Sequence, residues 1–176
     1  MGAAAKERNE NVRCIVSNTG PLLHLSEAQA LDLLGQAGEI HVPQAVDAEM
    51  RFQAEKWPEQ RPAWLIVDTL VPPHSAEAEL WLEAELLHAG EAEAIALARQ
   101  IRADWLVTDD AAARLFAQTL GIEVHGSLGI VLWAAATGRL NRPEAEAILE
   151  RLSRSSLWLS PRVLAEAKAA LEKIYS

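Results

Sequence analysis

Five short runs, VRCIVS, EIHVP, LIVDTL, DWLVT and IEVHG, recur along the chain, and a stretch of helical character separates each from the next. The runs are nearly all apolar and do not alternate. A strand reads that way when both of its faces are covered, because alternation marks a strand with one face in water. Strands alternating with helices then predict an α/β fold, a parallel sheet with helices on both faces. In such sheets the working site lies beyond the carboxyl ends of the strands. The residues that close each run are therefore the ones to read for function.

Local punctuation sets the expected boundaries. Strands are predicted over 12–17, 39–42, 65–70 and 104–108, with IEVHG as the fifth. Ser26 is a candidate N-cap for a helix over 27–36, closed by Gly35 or Gly38, and Gly20-Pro21 reads as a turn ahead of it. Pro43 suits the first position of a helix that runs to about Ala54. KWPEQRPAW reads as a loop in which Trp57 and Trp64 anchor the chain to the core. Residues 75–88 and 91–101 read as two helices separated by Gly90. Further helices are predicted over AAARLFAQTL, closing at Gly121, and over SLGIVLWAAATG, ending at Gly138. The last two begin near Pro143 and at the Ser160-Pro161 pair.

The 176 residues suffice for one substantial core, read as a single domain over 12–176 after a flexible leader at 1–11. No window of about 18 continuous apolar residues exists, so no membrane-spanning helix is expected. MGAAAKERNENVR lacks the apolar core of a signal peptide, and Lys6 stands where a myristoylation motif needs Ser or Thr. The single cysteine, Cys14, lies inside the first apolar run and reads as an inert core residue. Together these features point to the cytoplasm. The formal charge of −9 argues against a broad basic groove for nucleic acid, since phosphate neutralisation needs clustered Lys and Arg. It is neutral about a local acidic centre balanced by metal ions.

The strand tips carry SNTGP and DD, neither of which is a phosphate loop; no G-x-x-x-x-G-K-[ST] or strand-linked G-x-G-x-x-G is present. The histidines at 24, 41, 74, 88 and 125 lack zinc spacing, and G-x-S-x-G is absent. Carboxylates remain. Glu91 shares a helical stripe with Ala94, Ile95 and Ala98, the small apolar face expected against the sheet, whereas Glu93 lies roughly 200° around. On pattern alone Glu91 reads equally as a first-turn charge favoured by the helix dipole and as a site acid. Glu49, flanked at helical spacing by Ala45, Val46 and Phe52, reads as a solvated glutamate or as a second acid. Asp110 is the natural N-cap of the helix opening at Ala111, yet two consecutive aspartates exceed what a cap requires. Ser17 and Thr19 also fit simple turn roles. Acids gathered from several elements at one sheet edge would bind a hard divalent cation such as Mg2+ or Mn2+, which supports displacement at phosphorus. The residues themselves lead to a metal-dependent phosphoryl hydrolase or to an α/β domain whose acids only cap helices.

The order IVSNTGPLLHL, IHVPQAVDAEM, GEAEAIALA, LVTDD, GSLGIVLWA resembles the PIN-domain superfamily, in particular a prokaryotic PIN-like subgroup whose first strand ends in [DN]-[ST]-x-P-L. The resemblance spans about residues 12–137 as a core, and the helices of 138–176 resemble that subgroup's C-terminal extension. It implies a three-layer α/β/α fold with a short, mostly parallel sheet, and a nuclease that cuts single-stranded RNA with Mg2+ or Mn2+. The metal set it implies is Asn18, Glu91, Asp109 and Asp110, with Glu49, Glu91 and Asp110 as the catalytic acids and Thr19 as an auxiliary hydroxyl. Arg114 falls where it can reach a substrate phosphate or simply be a solvated helix arginine. RNA, a small antitoxin protein and a second copy in a homodimer are the implied partners. Asn18 stands where the wider superfamily has an acid; its amide offers a carbonyl oxygen but no charge. That departure also fits a PIN-like module that binds RNA or protein without cutting.

Overall fold

The centre of the fold is a five-stranded, all-parallel sheet in the order β3-β2-β1-β4-β5. Its strands are β1 (Cys14–Ser17), β2 (Glu39–Pro43), β3 (Leu65–Asp68), β4 (Trp105–Val107) and β5 (Val124–His125). The computed structural model describes residues 12–176, and the leader expected over 1–11 lies outside the described residues. β1 pairs with β2 on one side and β4 on the other, with Val16 opposite His41 and Leu106. The chain winds outward from β1 to β3, returns across the sheet, and continues through β4 to β5. The direction reverses between β1 and β4, which opens a crevice beyond their carboxyl ends.

The helices are α1 (Thr19–Glu27), α2 (Leu31–Ala37), α3 (Gln44–Gln53), α4 (Trp57–Gln60), α5 (His74–Glu83), α6 (Ala89–Gln100), α7 (Ala111–Thr119), α8 (Ser127–Ala136), α9 (Arg142–Ser153) and α10 (Pro161–Ile174). α6 lies across β1, β2 and β4 with α3, α5 and α7 beside it. Its Ala92, Ala94, Ile95, Ala96, Leu97 and Ala98 are all buried. Alanines let this helix sit close to the sheet and to its neighbours at once, so the expected one-sided stripe becomes burial nearly all round. α2 meets β2 and α8, and α8 meets β5, which completes the α/β/α layering expected from the apolar strands. A smaller apolar cluster, with Ala135, Ala145, Leu149, Ala167 and Leu171, joins α8 to α9 and α10. Arg151 Nε donates to Ala28 O at 2.7 Å and Tyr175 Oη to Leu140 O at 2.7 Å, fastening these helices to the rest.

Several boundaries differ from expectation, each for a local reason. The helix predicted over 27–36 is two helices. α1 starts at Thr19, because Asn18 caps it and Pro21 sits in the first turn, where a missing N–H costs nothing. Gln29, at φ 55°, then ends that helix before α2 begins. Gly90 does not separate helices; it lies in the first turn of α6. The KWPEQRPAW loop contains the short α4, and Trp57 is buried there with its Nε1 donating to Asp47 Oδ1 at 3.0 Å. Gly121 and Gly138 take φ of 76° and 74° just past α7 and α8, as the sequence led us to expect.

One polar cluster on the sheet was not visible in the sequence. His41 Nδ1 lies 2.5 Å from Asp68 Oδ2 and its Nε2 lies 2.9 Å from Glu39 Oε1, tying β2 to the edge strand β3. Burial disfavours the imidazolium, but the hydrogen bonds to Asp68 and Glu39 outweigh it and push the His41 pKa up to about 10. A pKa raised above its ordinary value gives stability that is complete below pH ~6.5 and is lost as pH rises through the folded value. The melting temperature of His41→Gln is therefore expected below that of the wild type at pH 6, with the gap shrinking by pH 10. Parallel wild-type and variant melts across that range would refute the charged-imidazole reading.

Candidate active site at the carboxyl edge of the sheet

The crevice between β1 and β4 is bounded by backbone before any side chain is considered. Asn18 N donates to Val107 O at 2.9 Å, extending the β1–β4 ladder one residue past β1. This puts Asn18 and Thr19 beside Thr108, Asp109 and Asp110, the residues that follow β4. Asn18 is 6% exposed, and both ends of its amide are bonded. Oδ1 accepts from Thr19 N at 2.9 Å and Nδ2 donates to Thr108 Oγ1 at 3.2 Å.

α3 and α6 bring the two glutamates. The Thr19 hydroxyl donates to Glu49 Oε2, and Gly90 N donates to Glu49 Oε1 at 2.9 Å. Glu49 thus satisfies a free N–H at the start of α6, a stabilising place for a carboxylate. Glu91, one residue on, accepts from His88 N at 3.0 Å within a capping box. Its pKa is raised, first by burial and then by the carboxylates of Asp110 and Glu49, against the opposing His88 N–H. Three acids from α3, α6 and the turn after β4 therefore share one electrostatic field. Glu93, around the helix from Glu91, accepts from Ala45 N at 3.0 Å and has a packing role.

The adjacent aspartates diverge. Asp110 is exposed and caps α7, its Oδ1 accepting from Ala113 N at 2.8 Å. Asp109 turns inward: His24 Nδ1 lies 2.7 Å from Oδ2, Ser127 N donates to Oδ1 at 2.7 Å, and Ser127 Oγ donates to Oδ2 at 2.5 Å. Burial alone would raise the Asp109 pKa, but the bonds from His24 and Ser127 hold it below the usual carboxylate range. Arg114 Nη2 donates to Thr108 O at 3.3 Å, bracing the end of β4 from α7. Leu82, Leu86, Leu87, His88, Glu91 and Asp110 line an open cleft of about 450 Å3 beside the acids.

Sequence reading missed two members of this region and a buried acid beside it. His24 and Ser127 gave no signal, because their shared partner lies 85 and 18 residues away. Asp47, on the same helix as Glu49, is buried and outside the crevice cluster. Burial raises its pKa, but bonds from Trp57, Arg51 and Arg61 outweigh that and lower it. Phe52, read as an apolar neighbour of Glu49, is 93% exposed.

A divalent metal suits the donor chemistry: Glu49, Glu91 and Asp110 are hard oxygen ligands, and a cation would relieve the crowding of negative charge at Glu91. The set is not closed. Among the described residues no three Asp, Glu, His or Cys side chains already stand together as an ion cage.

Fold and site together define a three-layer α/β/α protein with an acidic centre at the switch point of its parallel sheet. The chain matches the family model DUF3368, a PIN domain, over residues 14–173, and belongs to the PIN-domain family. PIN domains in general are nucleases and typically use divalent metals. No curated protein matches the chain. No helix among the described residues is long and apolar enough to cross a membrane.

The Glu49–Gly90 contact has a sign that can be tested. A Cβ on Gly90 would fall 2.5 to 2.7 Å from the carboxylate atoms of Glu49. Ordinarily Gly→Ala in a helix stabilises by about 1 kcal/mol. Gly90→Ala is expected to lower the urea midpoint in the wild-type background and to raise it in Glu49→Ala. Equal effects in both backgrounds would mean the carboxylate does not occupy this place.

Proposed function

We propose that this chain is a divalent-metal-dependent endoribonuclease acting on single-stranded RNA. The observation that carries the reading is the gathering of Glu49, Glu91 and Asp110 at the switch point of a PIN fold, where burial first and then the charge of Asp110 and Glu49 raise the Glu91 pKa. Glu49, Glu91 and Asp110 would hold Mg2+ or Mn2+, with the Asn18 carbonyl oxygen at the edge of the set. When bound, such a cation supplies positive charge at a scissile phosphate and makes water a better nucleophile at neutral pH. The chain's own contributions are positional. Thr19 and Gly90 fix the Glu49 carboxylate, the capping bond from His88 fixes Glu91, and Asp110 is held as a helix cap facing solvent. Arg114 supports the same turn through Thr108 O and keeps further N–H donors for a phosphate. A toxin role with a small antitoxin, a homodimer and a cytoplasmic setting belong to the same proposal.

A second reading, a PIN module that binds without cutting, is favoured by one observation. Asn18 carries no charge, and both ends of its amide already bond within the protein.

Mn2+ at millimolar concentration is expected to raise the melting temperature, since a ligand selective for the native state stabilises it by about 2.7 kcal/mol at a hundred times its Kd. No shift would count against the metal site. Asp110→Asn preserves the cap, because Asn and Asp cap equally well, and so isolates the charge. RNA cleavage is expected to fall on the order of a hundredfold or more. Undiminished cleavage would place the chemistry elsewhere. Asn18→Asp, whose new oxygen can accept from the Thr108 hydroxyl, should tighten Mn2+ binding on the order of tenfold as ligand charge rises. Weaker binding would exclude residue 18 from the set.

A further inference from the structure

We propose that Asp109 is a positioning residue that sets the geometry of Asp110 and of the α1 terminus, and that it is not itself a metal ligand; this rests on the metal-dependent reading above. Asp109 is where three separate pieces of chain meet. It lies in the turn after β4, His24 comes from α1, and Ser127 opens α8. Its side chain is 9% exposed. A carboxylate has about four lone-pair sites, and three of Asp109's are already taken, by His24 Nδ1, Ser127 N and Ser127 Oγ. The one site left, on Oδ1, lies in a nearly closed pocket, where the 9% exposed side chain offers a cation little open approach.

The surroundings are shaped to allow this inward turn. A Cβ on Gly126 would sit 2.9 Å from Asp109 Oδ1 and 2.6 Å from Arg114 Nη2, so only glycine lets the start of α8 approach so closely. Through His24, Asp109 fixes α1, whose first turn carries Asn18 and Thr19, and Thr19 in turn holds Glu49. Through the chain itself it fixes Asp110, which faces the opposite way and stays exposed. One buried carboxylate thus sets the spacing between the parts of the acidic centre that come from β1 and from β4.

The test separates ligation from positioning with direct Mn2+ binding, read from the signal of free Mn2+ in electron paramagnetic resonance, alongside kcat on single-stranded RNA. In Asp109→Asn the Mn2+ Kd is expected to stay within about threefold of wild type, whereas Asp110→Asn raises it on the order of tenfold or more. Ser127→Ala carries no charge change, yet is expected to lower kcat by about the same factor as Asp109→Asn, on the order of tenfold. The double variant should be no worse than either single one, and Ser127→Thr should restore the rate. Tyr175→Phe, which loses its bond to Leu140 O, should leave Kd unchanged. An Asp109→Asn chain that loses Mn2+ as severely as Asp110→Asn overturns the proposal, and so does a Ser127→Ala chain that cleaves like wild type. Should Asp109→Asn fail to fold, Ser127→Ala and Ser127→Thr decide alone. A wild-type chain that binds no Mn2+ fails differently: it removes the metal-dependent reading, and the proposal with it.

Discussion

The parallel pairing of β1 with β4 is the constraint on which the rest of the molecule depends. The two strands are about ninety residues apart in sequence, yet Ile15, Val16 and Ser17 align with Trp105, Leu106 and Val107. Polar bonds close the ladder at both ends. At the amino end Asp104 Oδ2 accepts from Cys14 N and Asp104 N donates to Cys14 O, both at 2.7 Å. At the carboxyl end Asn18 bonds Val107 and Thr108. A register slip of one residue would turn the side chains of the slipped strand to the opposite face and shift Thr19 relative to the aspartates. The acidic centre exists only in this register.

Most polar groups in the crevice have two duties. Asn18, Glu49, Glu91 and Asp110 each satisfy a backbone N–H at a helix start, at Thr19, Gly90, His88 and Ala113. Helix starts leave their N–H groups unpaired and favour negative charge, so acids placed there stabilise the fold while staying next to open space. The capping bonds that sequence pattern allowed for Glu91 and Asp110 are present. Capping and membership of an acidic cluster are compatible, because a carboxylate keeps a second oxygen after its cap is made.

The aspartate pair shows how differently neighbouring residues are used. Asp110 follows the local rule for a cap; Asp109 follows no local rule and is placed by His24 and Ser127. The net charge of −9 has a similar lesson. Much of the arginine near the site is already committed, Arg51 and Arg61 to Asp47 and Arg114 to Thr108 O, so the crevice itself is left acidic. A centre of that kind attracts cations before it attracts phosphate.

The sequence by itself determined the layers. Five short apolar runs, the prolines at helix starts and the glycines past α7 and α8 act within a few residues, and so they could be read directly. It also supplied the candidate acids: Asp109 and Asp110 follow a strand, Glu91 lies in the first turn of a helix, and Glu49 lies within one. Only the tertiary structure decided what those residues touch: that Asn18 begins a helix expected eight residues later, that Thr19 and Gly90 hold Glu49, and that Asp109 faces inward while Asp110 faces out. Their partners come from elements brought together by sheet pairing, and no periodicity along the chain encodes a bond across 85 residues.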